Sequence, residues 1–343
     1  MQLPDGISIV ICTYNGVSRL QPTLESIFSL QIDSSIPWEL IIIDNASTDT
    51  TFQFCKDLII KNGFKSNSRV VHEALAGCNH ARLRGLQEAK YKWLLFCDDD
   101  NHLFPDYIQK GWEILQNNSR IGVLGGQGIP LFESTKPDWF DKYSISFAIG
   151  AQNTKEGKLQ DTVRKLYSAG SFFRKEALMY YYDSNFSTIM VGPKGNELTR
   201  GEDTEWCMMI ELLGYDMWYS SELQFFHYMT VGRMQWSYYL RLKEGIASGV
   251  AKFEPYNLYL KRSKPSLLFF LITYFRNSVS SQLNWMQFLI RSSVQPKHYT
   301  IEQFEIGTAV NRMKAKSYRT NFRMTFHHFL QLKKVLTHSG KIN

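Results

Sequence analysis

The chain has little that would carry it out of a cell or through a membrane. No basic stretch followed by an apolar one precedes the first strand-like run at Ile7, so no secretory signal is expected. The longest clean apolar run, Leu267 to Phe275, is far shorter than the roughly 20 residues a spanning helix needs. Cysteine is scarce. Cys12, Cys55, Cys78, Cys97 and Cys207 are odd in number and lack paired spacing, which argues against a disulfide framework and a cysteine zinc site and for reduced thiols. No internal repeat or low-complexity tract is visible. Acid is nearly missing from the last third. Residues 230–343 hold 18 Lys+Arg against 4 Asp+Glu, a balance of +14, while residues 1–229 hold 21 against 28, a balance of −7. An acidic body with a basic tail implies two regions with different partners. The expectation is a cytoplasmic protein, soluble or peripheral on the inner face of the plasma membrane, whose 230–343 tail either meets an anionic surface or packs as a helical bundle with a solvated basic side.

What is present is centred on Trp93-Leu94-Leu95-Phe96-Cys97-Asp98-Asp99-Asp100-Asn101, an apolar run that ends in three carboxylates. The apolar part reads as a buried strand. Its acids then fall at the C-terminal edge of a sheet, where open α/β folds bind ligands. Adjacent carboxylates repel unless a cation or a donor-rich ligand neutralises them, and hard oxygen ligands suit Mg²⁺ or Mn²⁺ together with a substrate phosphate. Two more buried runs end the same way: Ile7 to Ile11 leads into Thr13-Tyr14-Asn15-Gly16, and Glu39 to Ile43 into Asp44-Asn45. Short strands are expected over Arg69 to His72 and Leu223 to Phe226 and a helix from Pro105 to Gln116, and helix-length gaps carrying apolar residues at helical spacing separate the first strands. The order β-α-β-α-β-α-β points to a parallel sheet with right-handed crossovers. Ser47 or Thr48 is expected to cap the second helix. Three polar strand ends on one sheet edge suit a nucleotide, with an aromatic to stack the base, an acid to accept from base or ribose, and a metal for the phosphates.

Ser8 to Asn15, Ile43 to Asp49, Gly77 to Gly85 and Phe96 to Pro105 resemble successive signatures of the family 2 glycosyltransferases, which have the GT-A fold. Gly201-Glu202-Asp203-Thr204-Glu205, followed by a helix and Gly214-Tyr215, resembles that family's acceptor-side Glu-Asp motif. The resemblance covers roughly residues 6–250. Leu83, where Asn often follows the Ala-Arg pair, and Cys12, at a common Pro, depart from the pattern. The resemblance implies a Rossmann-like, mainly parallel α/β sheet flanked by helices, a nucleotide-sugar donor of the UDP, GDP or dTDP type, and a divalent metal, Mn²⁺ or Mg²⁺. It implies that Thr13, Tyr14 and Asn15 line the nucleotide pocket and that Asp44 binds base or ribose. Arg82 would lie near base and diphosphate, Asp98 and Asp100 would be the ends of the Asp-x-Asp motif, and Asp99 would touch ribose or sugar. Asp100 would be a metal ligand, with Asp98 and His227 completing the site. Asp203 would be the general base of an inverting displacement, with Glu202 orienting a glycan or lipid-linked acceptor.

The domains are expected at 1–229, catalytic, with a nucleotide-binding half over 1–120 and an acceptor-binding half over 121–229, and at 230–343, helical and basic. The turn-rich 191–200 stretch is expected to shape the donor-sugar or acceptor pocket. Two rivals differ in class. A nucleotidyltransferase would carry a Gly-rich basic loop after its first strand, which Thr13 to Arg19 does not supply. A nucleic-acid-binding protein would leave the strand-end acids unexplained, and the basic residues of the tail follow no nucleic-acid motif.

Overall fold

The computed structural model describes residues 3–160, 165–190, 192, 200–262 and 264–338. The 191–200 stretch therefore lies almost wholly outside the described residues. The chain divides into two compact units, Met1–Tyr180 with Met209–Val231, and Tyr181–Met208 with Gly232–Asn343.

In the first unit the strands are β1 (Ile7–Thr13), β2 (Trp38–Asn45), β3 (Ser68–Glu73), β4 (Trp93–Asp98), β5 (Asn101–Leu103), β6 (Ile121–Phe132), β7 (Gly157–Lys158), β8 (Ser171–Arg174) and β9 (Asp216–Met229). They join in one sheet of order β3-β2-β1-β4-β8-β6-β9-β5, with β7 added on β9. The β3-β2-β1-β4 half is parallel. Beyond it β8 runs antiparallel to both β4 and β6, and β5 runs antiparallel to β9. Helices α1 (Val17–Phe28), α2 (Thr51–Lys61), α3 (Cys78–Glu88) and α4 (Tyr107–Gln116) connect or follow the parallel strands. The strands are apolar on both faces because helices cover both. Ile9, Ile11, Leu40, Ile42, Leu95 and Cys97 form a core with Leu20, Leu24 and Ile27 of α1 and Cys55 and Ile59 of α2. On the other face α3 lies close against β1: a Cβ on Gly85 would stand 2.4 Å from Val10 Cγ1. Only a glycine permits that approach.

The sheet differs from the sequence reading in three places. The strand expected over Leu223 to Phe226 extends over Asp216–Met229, because it pairs with β6 on both sides of the polar Ser220-Ser221-Glu222 stretch, where the register shifts at a bulge. The helix expected from Pro105 begins at Tyr107. Neither Ser47 nor Thr48 caps α2; Ser47 Oγ instead accepts from the Asn15 N–H, and Thr48 pairs with the Asn15 side chain. Short α5 (Phe140–Tyr143) follows β6, and α6 (Lys175–Asp183) follows β8.

The second unit is helical. It holds the first residues of α7 (Glu202–Leu212), then α8 (Trp236–Ser248), α9 (Glu254–Lys261), α10 (Leu267–Val294), α11 (Ile301–Thr320) and α12 (Phe322–His338). Tyr256, Tyr259, Phe270, Tyr274, Tyr318 and Phe329 fill its interior. Tyr274 Oη donates to the Tyr318 carbonyl at 2.7 Å and Tyr318 Oη donates to Glu254, while Tyr259 Oη is buried with no hydrogen-bond partner among the described residues. Thr300 and Gln303 make a capping box that starts α11.

Candidate active site

The parallel register aligns the strand ends. Thr13 of β1 pairs with Asp44 of β2, Cys12 with Asp98 of β4, and Asp44 with His72 of β3. Four polar strand ends thus sit side by side on one edge, about 4.8 Å apart. Asn15 and Ala46, just past β1 and β2, hold the left-handed backbone (φ 47° and 54°) that turns the chain sharply away from that edge. Tyr14 is left about half exposed at the rim.

Asp44 is 1% exposed. Its Oδ2 lies 3.0 Å from His72 Nδ1, while its Oδ1 is buried with no hydrogen-bond partner among the described residues. A buried carboxylate oxygen without a donor is costly, so a ligand donor is the natural complement. Asn45 beside it braces the next loop. Its Nδ2 donates to the Leu75 carbonyl at 2.7 Å, and its Oδ1 accepts from Gly77 N–H at 2.8 Å. Gly77 has φ 137°, a conformation side chains disfavour, and it opens α3. From the first turns of α3 the buried Arg82 donates to Ser168 Oγ at 2.6 Å, with its guanidinium 5.9 Å from the Phe96 ring.

The three acids after β4 have different surroundings. Asp98 ends the strand, half-buried, and its N–H donates to Asn101 Oδ1 at 3.1 Å. Asp99 accepts from Thr13 Oγ1 at 2.6 Å and from Arg19 at 2.7 Å. Burial pushes the Asp99 carboxyl up; the Arg19 bond and the Thr13 bond pull it back, and the Asp100 charge adds to the rise. Asp100 is 3% exposed and its Oδ1 stands 3.4 Å from His227 Nε2. Pairing of β5 with β9 creates this contact, since Asn101 lies opposite His227. Among the described residues no group of three or more His, Cys, Asp or Glu is arranged to hold a metal ion. Asp100 and His227 are brought together as a pair, and Asp98 does not complete a three-ligand set with them.

Glu202 and Asp203 begin α7 in the second unit. Glu202 Oε2 accepts from Gly201 N–H at 3.0 Å and Asp203 Oδ1 from Thr204 N–H at 2.7 Å, at the helix end whose dipole stabilises carboxylates. One turn in, Glu205 is wholly buried. It accepts from Ile189 N–H at 2.7 Å, Met190 N–H at 2.8 Å and Tyr256 Oη at 2.5 Å. His328 Nε2 lies 2.9 Å from that Tyr256 oxygen and 3.6 Å from Glu205. Burial pushes Glu205 up to about 7, against the pull of its three donors and Lys252. Burial likewise lowers His328, to about 3. This buried network ties α9, α12 and the 189–190 segment to the turn that carries Asp203.

Sequence reasoning missed Arg19, His72, Asn101, Ser168 and the role of Glu205. Asn101 holds the neighbouring Asp98 N–H, and each of the others acts through a partner distant in the chain, such as Arg19 on Asp99, 80 residues away. For Glu205 the signal was a carboxylate at an apolar position of α7, beside Trp206.

Residues 8–181 match the family model "Glycosyl transferase family 2". Among curated relatives, a glucosyl-dolichyl phosphate glucuronosyltransferase of Haloferax volcanii is 22% identical over 209 residues, 60% of this chain and 63% of its own. A poly-beta-1,6-N-acetyl-D-glucosamine synthase of Staphylococcus epidermidis is 24% identical over 54% of this chain and 44% of its own. The chain thus spans less than two thirds of the length of either relative. Among solved structures, S. aureus TarS 1–349 in complex with UDP-GlcNAc superposes with a TM-score of 0.52 at 16% identity, covering 92% of both chains. A mannosyltransferase of Pyrobaculum calidifontis in complex with GDP-Man and Mn²⁺ gives 0.54 at 15% identity, covering 93% of this chain and 90% of that one. These likenesses agree with the GT-A sheet described above. The family match spans just over half of the chain and takes in the ends of β1, β2 and β4, and the chain belongs to glycosyl transferase family 2.

Proposed function

We propose that this glycosyltransferase moves a sugar from a nucleoside-diphosphate donor to a hydroxyl of a glycan or lipid-linked glycan, by inverting direct displacement, with its donor site on the β2-β1-β4 edge. The observation that carries the donor site is Asp44 Oδ1, buried and without a partner among the described residues. A base with a ring or exocyclic N–H supplies the missing donor. Thr13, Tyr14 and Asn15 border the same edge, and the exposed Tyr14 ring offers a stacking surface. Asp98 and Asp99 stand on the sugar side of that edge. Asp99, already held by Arg19 and Thr13, is a rigid acceptor for a ribose or sugar hydroxyl.

Asp100 and His227 fit Mn²⁺ or Mg²⁺. A hard carboxylate and an imidazole, both buried, leave most coordination positions to phosphate oxygens and water. Bound there, the ion would supply positive charge to the departing diphosphate. Arg82 adds fixed positive charge in a buried setting, where it is worth more than in water. Asp203 removes the proton of the attacking hydroxyl, and Glu202 orients the acceptor. The mannosyltransferase with GDP-Man and Mn²⁺ and TarS with UDP-GlcNAc support a nucleotide sugar as donor, and the former supports a metal. The catalytic region is proposed to run over 1–229, with 1–120 for the nucleotide and 121–229 for the acceptor, followed by the basic helical region 230–343.

The test is a panel of nucleotide sugars assayed for slow hydrolysis to free nucleoside diphosphate, with and without Mn²⁺, beside Asp100→Ala. Release from one donor, lost without metal and in the variant, is the expected result. If no donor is hydrolysed and neither UDP, GDP nor dTDP binds with Mn²⁺, the donor-site reading fails.

A further inference from the structure

The longest helix of the second unit leaves one side uncovered. α10 buries Phe270, Thr273 and Tyr274. On its other side Leu268, Ile272, Phe275, Val279, Met286 and Ile290 are each 54–66% exposed. At about 100° per residue these six fall within an arc of about 60°, a ridge about 33 Å long. Scattered exposed apolar residues need no explanation, but a continuous ridge does.

Charge identifies what covers it. α10 contains no Asp or Glu; its only charged side chains are Arg276 and Arg291, and Lys261, Arg262 and Lys264 precede it. Residues 230–343 together carry the balance of 18 Lys+Arg against 4 Asp+Glu. At the C-terminal end of the ridge lies a shallow concavity of about 540 Å³ lined by Ile290, Arg291, Val294, Gln295, His298 and Tyr299. It joins a guanidinium to apolar walls, the chemistry of a phosphate headgroup above acyl chains.

We propose that α10 lies in the surface of an anionic phospholipid bilayer, its apolar ridge among the acyl chains and its flanking Lys and Arg at the phosphates. The helix lies on the bilayer and does not cross it: no helix among the described residues is long and apolar enough to span one. A second copy of the chain fits the ridge less well. A supercoiled seam with a 3.5-residue period would pass from Val279 to Gln282 and end at Ser293. Leu283, Ile290 and Val294 are exposed at 48%, 60% and 72%, more than Leu289 on the seam at 41%, so the ridge follows the course of a straight helix. Two copies would also bring arginine to arginine with no acid on either α10. The surface is independent of the donor chemistry, so vesicle binding persists whether or not a nucleotide sugar binds.

The experiment is sedimentation of the full chain with vesicles of phosphatidylglycerol and phosphatidylcholine and with vesicles of phosphatidylcholine alone. The wild type is expected to partition onto the anionic vesicles at least about tenfold more strongly, with salt weakening the binding. Ile272→Asp/Val279→Asp is expected to lower that partition by at least about tenfold. Ile60→Asp, on the exposed side of α2, leaves it unchanged. If the aspartate pair does not fold, as judged by circular dichroism, Ile272→Ser/Val279→Ser serves the same purpose. Equal binding of the ridge variant and the wild type overturns the proposal, and so does no binding of the wild type to anionic vesicles. A stable dimer that Ile272→Asp/Val279→Asp separates overturns it as well, since a second copy would then cover the ridge.

Discussion

Replacing Asp44 with alanine separates binding from folding. Among the described residues Asp44 Oδ1 is buried without a donor, while Oδ2 is engaged 3.0 Å from His72, which is itself about half exposed. Removing an uncompensated buried oxygen relieves a desolvation cost, and losing one contact to a solvated histidine costs little. The two offset, so stability should change by no more than about 1 kcal/mol. A base N–H donating to the free oxygen makes a hydrogen bond to a charged group, worth about 1.5–3 kcal/mol. Asp44→Ala should therefore weaken nucleoside diphosphate binding about 10- to 150-fold. Isothermal titration with UDP, GDP and dTDP in the presence of Mn²⁺ measures the first effect, and urea unfolding the second. Binding within about threefold of wild type, from a variant of unchanged stability, would show that the free oxygen does not face the base, and the proposed donor site would be refuted.

Asp100→Ala should abolish the dependence of nucleotide binding on Mn²⁺ while leaving the fold intact, and His227→Ala should weaken it about 10- to 100-fold; titration of Mn²⁺ into the nucleotide-bound chain checks both, and unchanged metal dependence counts against the pair. Gly85→Ala drives a methyl to 2.4 Å from Val10 Cγ1 and should cost about 1–3 kcal/mol as α3 is forced off β1, read as a lower urea midpoint; an unchanged midpoint means the helix shifts freely. Glu205, raised to about 7, stays protonated in the folded chain after the unfolded chain has lost its proton, so it makes stability fall as pH rises from its ordinary value, near 4.5, to about 7. His328, lowered to about 3, acts oppositely: the unfolded chain takes up a proton that the folded chain refuses, so stability rises with pH from about 3 to 6.5. The two contributions oppose each other in the wild type between pH 4.5 and 6.5, and Glu205→Gln should unmask the rising slope, measured by urea unfolding across that range; no change in slope would mean Glu205 is ionised when buried.

The edge of polar strand ends was legible because its parts are local. Ile7–Thr13, Trp38–Asn45 and Trp93–Asp98 are apolar runs that stop at polar residues, and a parallel order puts such ends together. The edge beyond them was not legible. β5 is three residues, too short for any periodicity, yet its pairing with β9 carries His227 to Asp100. β9 was read as four residues because Ser220, Ser221 and Glu222 interrupt its hydrophobic pattern, while pairing with β6 on either side of the bulge there makes it one strand. Arg19 reads as an ordinary helix residue until β4 sets Asp99 beside it. In the basic region the helices were readable, but which side of α10 would be left uncovered depends on how α9, α11 and α12 pack, which no single stretch records.

A crystal structure of the chain with a bound nucleoside diphosphate and Mn²⁺ tests the central claim most directly. The base is expected within hydrogen-bonding distance of Asp44 Oδ1, with the ion on Asp100 and the diphosphate facing Arg82. A nucleotide seated elsewhere, or one that leaves Asp44 and Asp100 untouched, would contradict the account.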